Sequence, residues 1–251
     1  SRRVALCESL GGAGATLLPI PQIQIFGGGA HASRRVDVQD FMVVCPGATS
    51  FAEAIAWTAE VYRAAGTLMA ERGQLAGVAD EGGWWPDFAS NEEALETLVR
   101  AIERAGRVAG DEVAIALDVA ASELGSGGRY SLGLEARELG RDEWIELLLG
   151  WTRRYPIVSI EDPLGEDDGE GFARFTKAAG KTLQVVGDDL LVSSGALVRQ
   201  AAASGAANTV LLKPNQRGTL TETRQCWQAA RSVGYAGIVS ARSGETEDTT
   251  I

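Results

Sequence analysis

Several apolar runs of this chain finish on a residue that carries charge. Asp118 follows "VAIAL", Glu161 follows "IVSI", Asp188 follows "LQVVG" and Lys213 follows "TVLL", while Arg242 lies just past "GIVSA". A charge at the mouth of a buried strand is costly to desolvate unless something uses it. Carboxylates gathered in one pocket repel one another unless a cation neutralises them. Ligation by oxygen alone, without histidine or cysteine, suits a hard ion, Mg²⁺ ahead of Mn²⁺. A lysine across from such an ion is expected to have a lowered pKa, because nearby cationic charge and burial disfavour its ammonium form and free a lone pair for use as a base. The chemistry these types suggest is a metal that holds a carboxylate substrate while Lys213 removes a proton from the adjacent carbon.

For those groups to meet, the elements that carry them must put their ends on one face. From about Ile20 onward, short apolar runs alternate with amphipathic stretches of helical period, the pattern of a parallel β/α architecture. "IPQIQIF" and "DFMVVCPG" read as two successive strands with no helix between them. A helix capped by Ser50 and ended near Gly73 follows, then a second with a capping-box pattern from Ser90 to Glu93 and a stop at Gly106. "VAIALD", "PIVSIEDP", "LQVVGDD", "NTVLLK" and "GIVSAR" are further strands separated by helices, with "GGRYSL" as a small hairpin insertion. This makes seven strands, one fewer than a closed eight-stranded barrel. In such folds the C-terminal strand ends share one face, where active sites sit.

Composition bounds the alternatives. The chain has 251 residues, 45% hydrophobic and 23% charged, as in an ordinary soluble globular protein. A formal net charge of -11 disfavours binding to nucleic acid or anionic membrane. The apolar runs fall well short of the roughly 20 residues that cross a bilayer. Cys7, Cys45 and Cys226 lack metal-ligand spacing and read as reduced structural thiols of a cytoplasmic protein. "ALCESLGGAGATLLP" lacks the order of a dinucleotide-binding loop, and residues 1–19 read as a linker. The chain starts at Ser1 and stops after "GETEDTTI", and both ends read as cut.

The motifs "ADEGG", "ALDVAASE", "YPIVSIEDPL", "VVGDDLLV", "LLKPNQRGTLTET" and "SARSGETEDTT", with "GGGAHAS" and "VQDFM", resemble the enolase (phosphopyruvate hydratase) family in order and separation across nearly the whole chain. The resemblance implies an incomplete TIM-type β/α barrel over residues 20–251, opening ββαα and continuing in βα units. The N-terminal α+β domain and the last strand of the family are missing from it. It also implies Mg²⁺-dependent dehydration of 2-phosphoglycerate to phosphoenolpyruvate, a glycolytic reaction, in a parent protein that is a homodimer or larger. Carried across by position, Asp118, Glu161 and Asp188 match the family's metal ligands. Lys213 matches the base that takes the C2 proton, and Glu81 the acid that helps the C3 hydroxyl leave. Arg242 and Ser243 match groups that hold the phosphate, and His31, Gln39 and Asp40 match positions in the substrate pocket.

The pocket departs from the family in places. Ala241 stands where a histidine is usual, Asp40 where a glutamate is usual, and Gly27 where an asparagine is usual. These changes keep open a paralogue acting on a phosphonate or related phosphorylated acid, such as carboxyphosphonoenolpyruvate synthase, and a non-catalytic binding protein derived from an enolase. Retention of Lys213, Glu81 and the three metal-type carboxylates weighs against the latter.

Overall fold

The computed structural model describes residues 4, 6–12, 14, 17–32 and 36–242. A short helix, α1 (Leu6–Gly11), occupies the stretch expected to be linker. The strand β1 (Gln22–Gly27) and the strand β2 (Asp40–Val44) then run antiparallel, joined through a 3₁₀ turn at Gly29–Ala32. Two helices follow, α2 (Phe51–Glu71) and α3 (Asn91–Arg104), with the strands β3 (Leu75–Val78) and β4 (Trp84–Pro86) between them.

Both helices start where side-chain caps place them. Ser50 accepts from Glu53 N at 3.2 Å and Ser90 from Glu93 N at 3.1 Å, each meeting one orphan donor of the first turn. The reciprocal arm at α3 differs from a capping box: the Glu93 carboxylate accepts from Ala89 N, one residue before the cap. Ala54, Trp57, Thr58, Val61, Ala65 and Met69 form the buried stripe of α2 at helical spacing.

The regular βα units come next. They are β5 (Ala114–Asp118), an insertion of three short strands, β6 (Gly125–Ser126), β7 (Arg129–Leu132) and β8 (Arg137–Gly140), and the helix α4 (Arg141–Arg154). After them run β9 (Ile157–Glu161), α5 (Gly169–Ala179), β10 (Gln184–Gly187), α6 (Gly195–Ser204), β11 (Thr209–Leu212), the one-turn α7 (Pro214–Arg217), α8 (Leu220–Ser232) and β12 (Ala236–Val239). Every residue of β5 and β11 is buried, the sign of strands covered on both faces.

The main sheet has nine strands in the order β12-β11-β10-β9-β5-β2-β1-β4-β3, and β6-β7-β8 form a separate small sheet. Neighbours from β5 through β12 are parallel, whereas β2 is antiparallel to both β1 and β5. The sheet does not close on itself among the described residues, as an incomplete barrel requires. The seven expected strands are all present, and the β3–β4 hairpin adds two more at the β1 edge. The expected hairpin insertion is a three-stranded meander. No helix among the described residues is long and apolar enough to cross a membrane. Cys45 and Cys226 are buried thiols and Cys7 is exposed, all free.

Candidate active site

Pairing register brings the charged strand ends together. Asp40 pairs with Asp118 across β2 and β5, and Asp118 pairs with Glu161 across β5 and β9. Asp188 follows the end of β10, whose Val186 pairs with Glu161. Because β2 runs against its neighbours, its first residues, not its last, reach this face. Gln39 Nε2 donates to Asp118 Oδ2 at 2.9 Å, and Gln216 Nε2 donates to Asp188 Oδ1 at 2.7 Å. Lys213 Nζ donates to Asp188 Oδ2, and its own backbone N–H donates to Ser193 Oγ at 2.9 Å.

The electrostatics are strongly one-sided. Asp118, Glu161 and Asp188 are each buried. Burial, then the nearby charges of Asp40, Asp162 and Asp188, push Asp118 far above the usual carboxylate range, although Lys213 opposes them. Burial followed by Asp118, Asp188 and Asp162 does the same to Glu161. The like charges of this group exceed what one lysine balances, which favours an added cation, although the ligand atoms within 4.8 Å of one another belong to the neighbouring group of Asp162, Asp188 and Asp189. The Lys213 pKa runs opposite to the lowering expected from the sequence. Burial works against its charge, but Asp188, Glu161 and Asp118 outweigh burial and raise it. The expectation counted a metal's positive charge, whereas the protein groups that face this ammonium are anions.

A second carboxylate group shares Asp188. Ligand atoms of Asp162, Asp188 and Asp189 lie within 4.8 Å of one another, an arrangement able to hold a metal ion. Sequence reasoning did not pick out Asp162 and Asp189, although each directly follows a residue that it did. Asp162 has a positive φ of 39°, and its carboxylate accepts from the backbone of Asp188 at 3.0 Å and of Asp189 at 2.8 Å. Burial drives its pKa to about 8 in spite of those bonds. Those two bonds make Asp162 the brace of the turn that presents Asp188.

Beside this cluster lies another. Ligand atoms of His31, Asp40 and Glu81 also fall within 4.8 Å of one another. His31 Nδ1 is 3.3 Å from Asp40 Oδ1, and that hydrogen bond, opposed by burial, raises the imidazole pKa. Glu81 sits on the loop between β3 and β4, whose Gly82 carbonyl accepts from Tyr62 Oη at 2.9 Å. Trp84 stacks on Tyr62 at 4.5 Å between centroids and donates Nε1 to the Tyr62 carbonyl at 2.8 Å, so it anchors that loop. A cavity of about 670 Å³ runs inside the sheet between β1 and β12, and Glu81, Glu161, Ala241 and Arg242 are all in its wall. The structure thus brings nine of the ten predicted site residues to one end of the sheet. Ser243 lies outside the described residues.

The family model for the enolase C-terminal TIM barrel domain matches residues 15–251. The chain is 49% identical over 246 residues to the enolase of Rubrobacter xylanophilus, a match that takes in 98% of this chain and 57% of that protein. It therefore spans a little over half the length of that relative. With its parallel strand-end carboxylates, its antiparallel second strand and this match over almost its entire length, the chain belongs to the enolase family.

Proposed function

We propose that the complete protein is a Mg²⁺-dependent hydro-lyase that converts 2-phosphoglycerate to phosphoenolpyruvate and water. The observation that carries this reading is the buried group Asp118, Glu161 and Asp188 with Lys213 set against it. A divalent cation held by the three carboxylates would stabilise the charge that grows on the substrate carboxylate as its neighbouring carbon loses a proton. Lys213 would take the C2 proton in its neutral form, which a bound cation favours by offsetting the carboxylates that hold it protonated. Glu81, beside Asp40 and His31, gives a proton to the C3 hydroxyl, which leaves as water because hydroxide is a poor leaving group. Arg242 offers a planar fork to phosphate oxygens, with Ser243 next to it in sequence. Gln39 holds Asp118 through its amide.

On this reading residues 20–251 are the catalytic barrel, residues 1–19 lead into it from an N-terminal α+β domain, and the complete protein is a cytoplasmic glycolytic enzyme that works as a homodimer or larger. The cavity wall supports one second reading. Ala241 stands next to Arg242 there, so a paralogue acting on a phosphonate or related phosphorylated acid fits a pocket altered at that point. Assay of the complete protein with 2-phosphoglycerate decides between them. Turnover that chelation abolishes and Mg²⁺ restores supports the hydratase. Turnover that survives exhaustive chelation sinks the metal assignment, and no turnover at all favours the paralogue.

A further inference from the structure

Gln24 stands on β1 with 6% of its surface exposed, and its carboxamide is bound at both ends. Its Oε1 accepts from Gly83 N at 2.7 Å. A backbone N–H can only donate, so the oxygen must face Gly83 and the NH₂ must face the other way. There Nε2 donates to Asp40 Oδ1, the same oxygen that His31 Nδ1 approaches. One amide therefore links three elements: β1, the first residue of β2, and the loop on which Glu81 precedes Gly83.

The backbone is shaped around this link. Gln24 lies opposite Met42, and a bulge between Gln24 and Phe26 shifts the register so that Gly27 faces Asp40. Bulges re-aim side chains beside active sites, and this one leaves Gln24 and Asp40 as near-diagonal neighbours within reach. Neither end of the amide has space for another side chain. A Cβ on Gly83 would lie 2.5 Å from Gln24 Oε1. A Cβ on Gly27 would lie 3.3 Å from Gln24 Nε2 and 2.3 Å from the Ala79 Cβ.

We propose that Gln24 is a positioning residue of the acid side of this site, matched in length to Asp40, and that together they set where the Asp40 charge sits relative to Glu81. The inference rests on the hydratase reading for the reaction that it serves. The sheet fixes the separation of the two backbones, so the combined length of the two side chains is what the bridge requires. Lengthening Asp40 alone drives its carboxylate into the amide. Shortening Gln24 alone withdraws the amide from Asp40 or from Gly83. Moving one methylene from the amide to the carboxylate keeps the span. The short carboxylate at position 40 is thus half of a matched pair, and its partner is the residue that reaches further.

The test uses the complete protein with 2-phosphoglycerate and Mg²⁺, and compares Gln24→Asn, Asp40→Glu and the double variant. Exchange of the C2 proton with solvent, loss of water and thermal unfolding are each measured. Each single change is expected to slow dehydration about a hundredfold, the scale of an ångström-sized misplacement of a reacting group. Exchange, which depends on Lys213, should stay near the wild-type rate, and the double variant should recover dehydration well beyond the product of the single effects. Loss of exchange and dehydration in equal measure, or a double variant no better than the poorer single, overturns the proposal. If the wild type performs neither step, the hydratase reading falls and the unfolding cycle decides the bridge instead. Single changes that lower the midpoint and a double change that restores it support the bridge, and additive losses overturn it.

Discussion

Asp168 and Glu161 are both buried carboxylates, close in sequence and on consecutive elements, and the protein treats them in opposite ways. Asp168 caps α5 by accepting from Gly171 N at 3.0 Å, receives Arg141 through Nε at 2.9 Å and Nη2 at 2.8 Å, and accepts from Tyr130 Oη at 3.0 Å. Burial works against its charge, but those bonds more than offset the penalty and hold its pKa below the ordinary value. Glu161 faces Asp118 and Asp188, and burial and repulsion drive it upward. A charge surrounded by its own donors is structural. A charge packed among its own kind costs stability and marks a place where an external cation can be held.

The strongest way to break this contrast is at the lysine that serves the second kind of site. In the complete protein Lys213→Ala should slow exchange of the C2 proton by about 10⁴-fold, the upper range for a general base, whereas Glu81→Gln should spare exchange and block dehydration. The reverse pattern would mean that the roles are exchanged. Metal linkage comes next. Mg²⁺ at a hundred times its dissociation constant should stabilise the wild type by about 2.7 kcal/mol over the chelated form, and Glu161→Gln should remove most of that gain. Equal stabilisation of both would take Glu161 out of the ligand set.

Folding stability then separates the two carboxylates by sign. Asp168→Asn should cost about 2 kcal/mol in urea unfolding, a value reduced because Arg141 is partly open to solvent. In chelated protein Glu161→Gln should instead add about 1 kcal/mol, since it removes one of several repelling charges. Losses at both positions would end the comparison. The smallest effect is in pH. Asp168 has a depressed pKa, so its contribution is complete above the unfolded value of 3.8 and is lost as pH falls through the folded value. The stability gap between wild type and Asp168→Asn should therefore narrow as pH drops below 3.8, and a constant gap would show that the Asp168 charge contributes nothing.

Much of this was legible because the signals were local. Short apolar runs with charged ends gave β5, β9, β10 and β11, and Ser50 and Ser90 gave the helix starts. The β3–β4 hairpin was hidden because its strands are very short and Leu75 and Val78 are exposed at a sheet edge, so no apolar alternation announces them. Gln24 was hidden for a different reason. In "PQIQIF" the glutamines alternate with isoleucines and read as a solvent face, but at this position that face points into the sheet's interior and the amide is buried. Asp162 depends on a positive φ that no residue pattern reveals. The direction of the Lys213 shift needed the positions of Asp188, Glu161 and Asp118 around one ammonium, which are known only after the strands are paired.

The reversed direction of β2 also divides the chain's loops into two kinds. A parallel strand delivers chemistry through the segment that leaves it, but β2 delivers Gln39 and Asp40 through the segment that arrives. What leaves β2, the exposed turn at Pro46, Gly47 and Thr49, therefore lies at the opposite end, where Gly47 N meets the Glu112 carbonyl ahead of β5. That turn is the natural port for engineering this barrel. A tag, a dye or an inserted module grafted there would be separated from the charged strand ends by the full length of a strand.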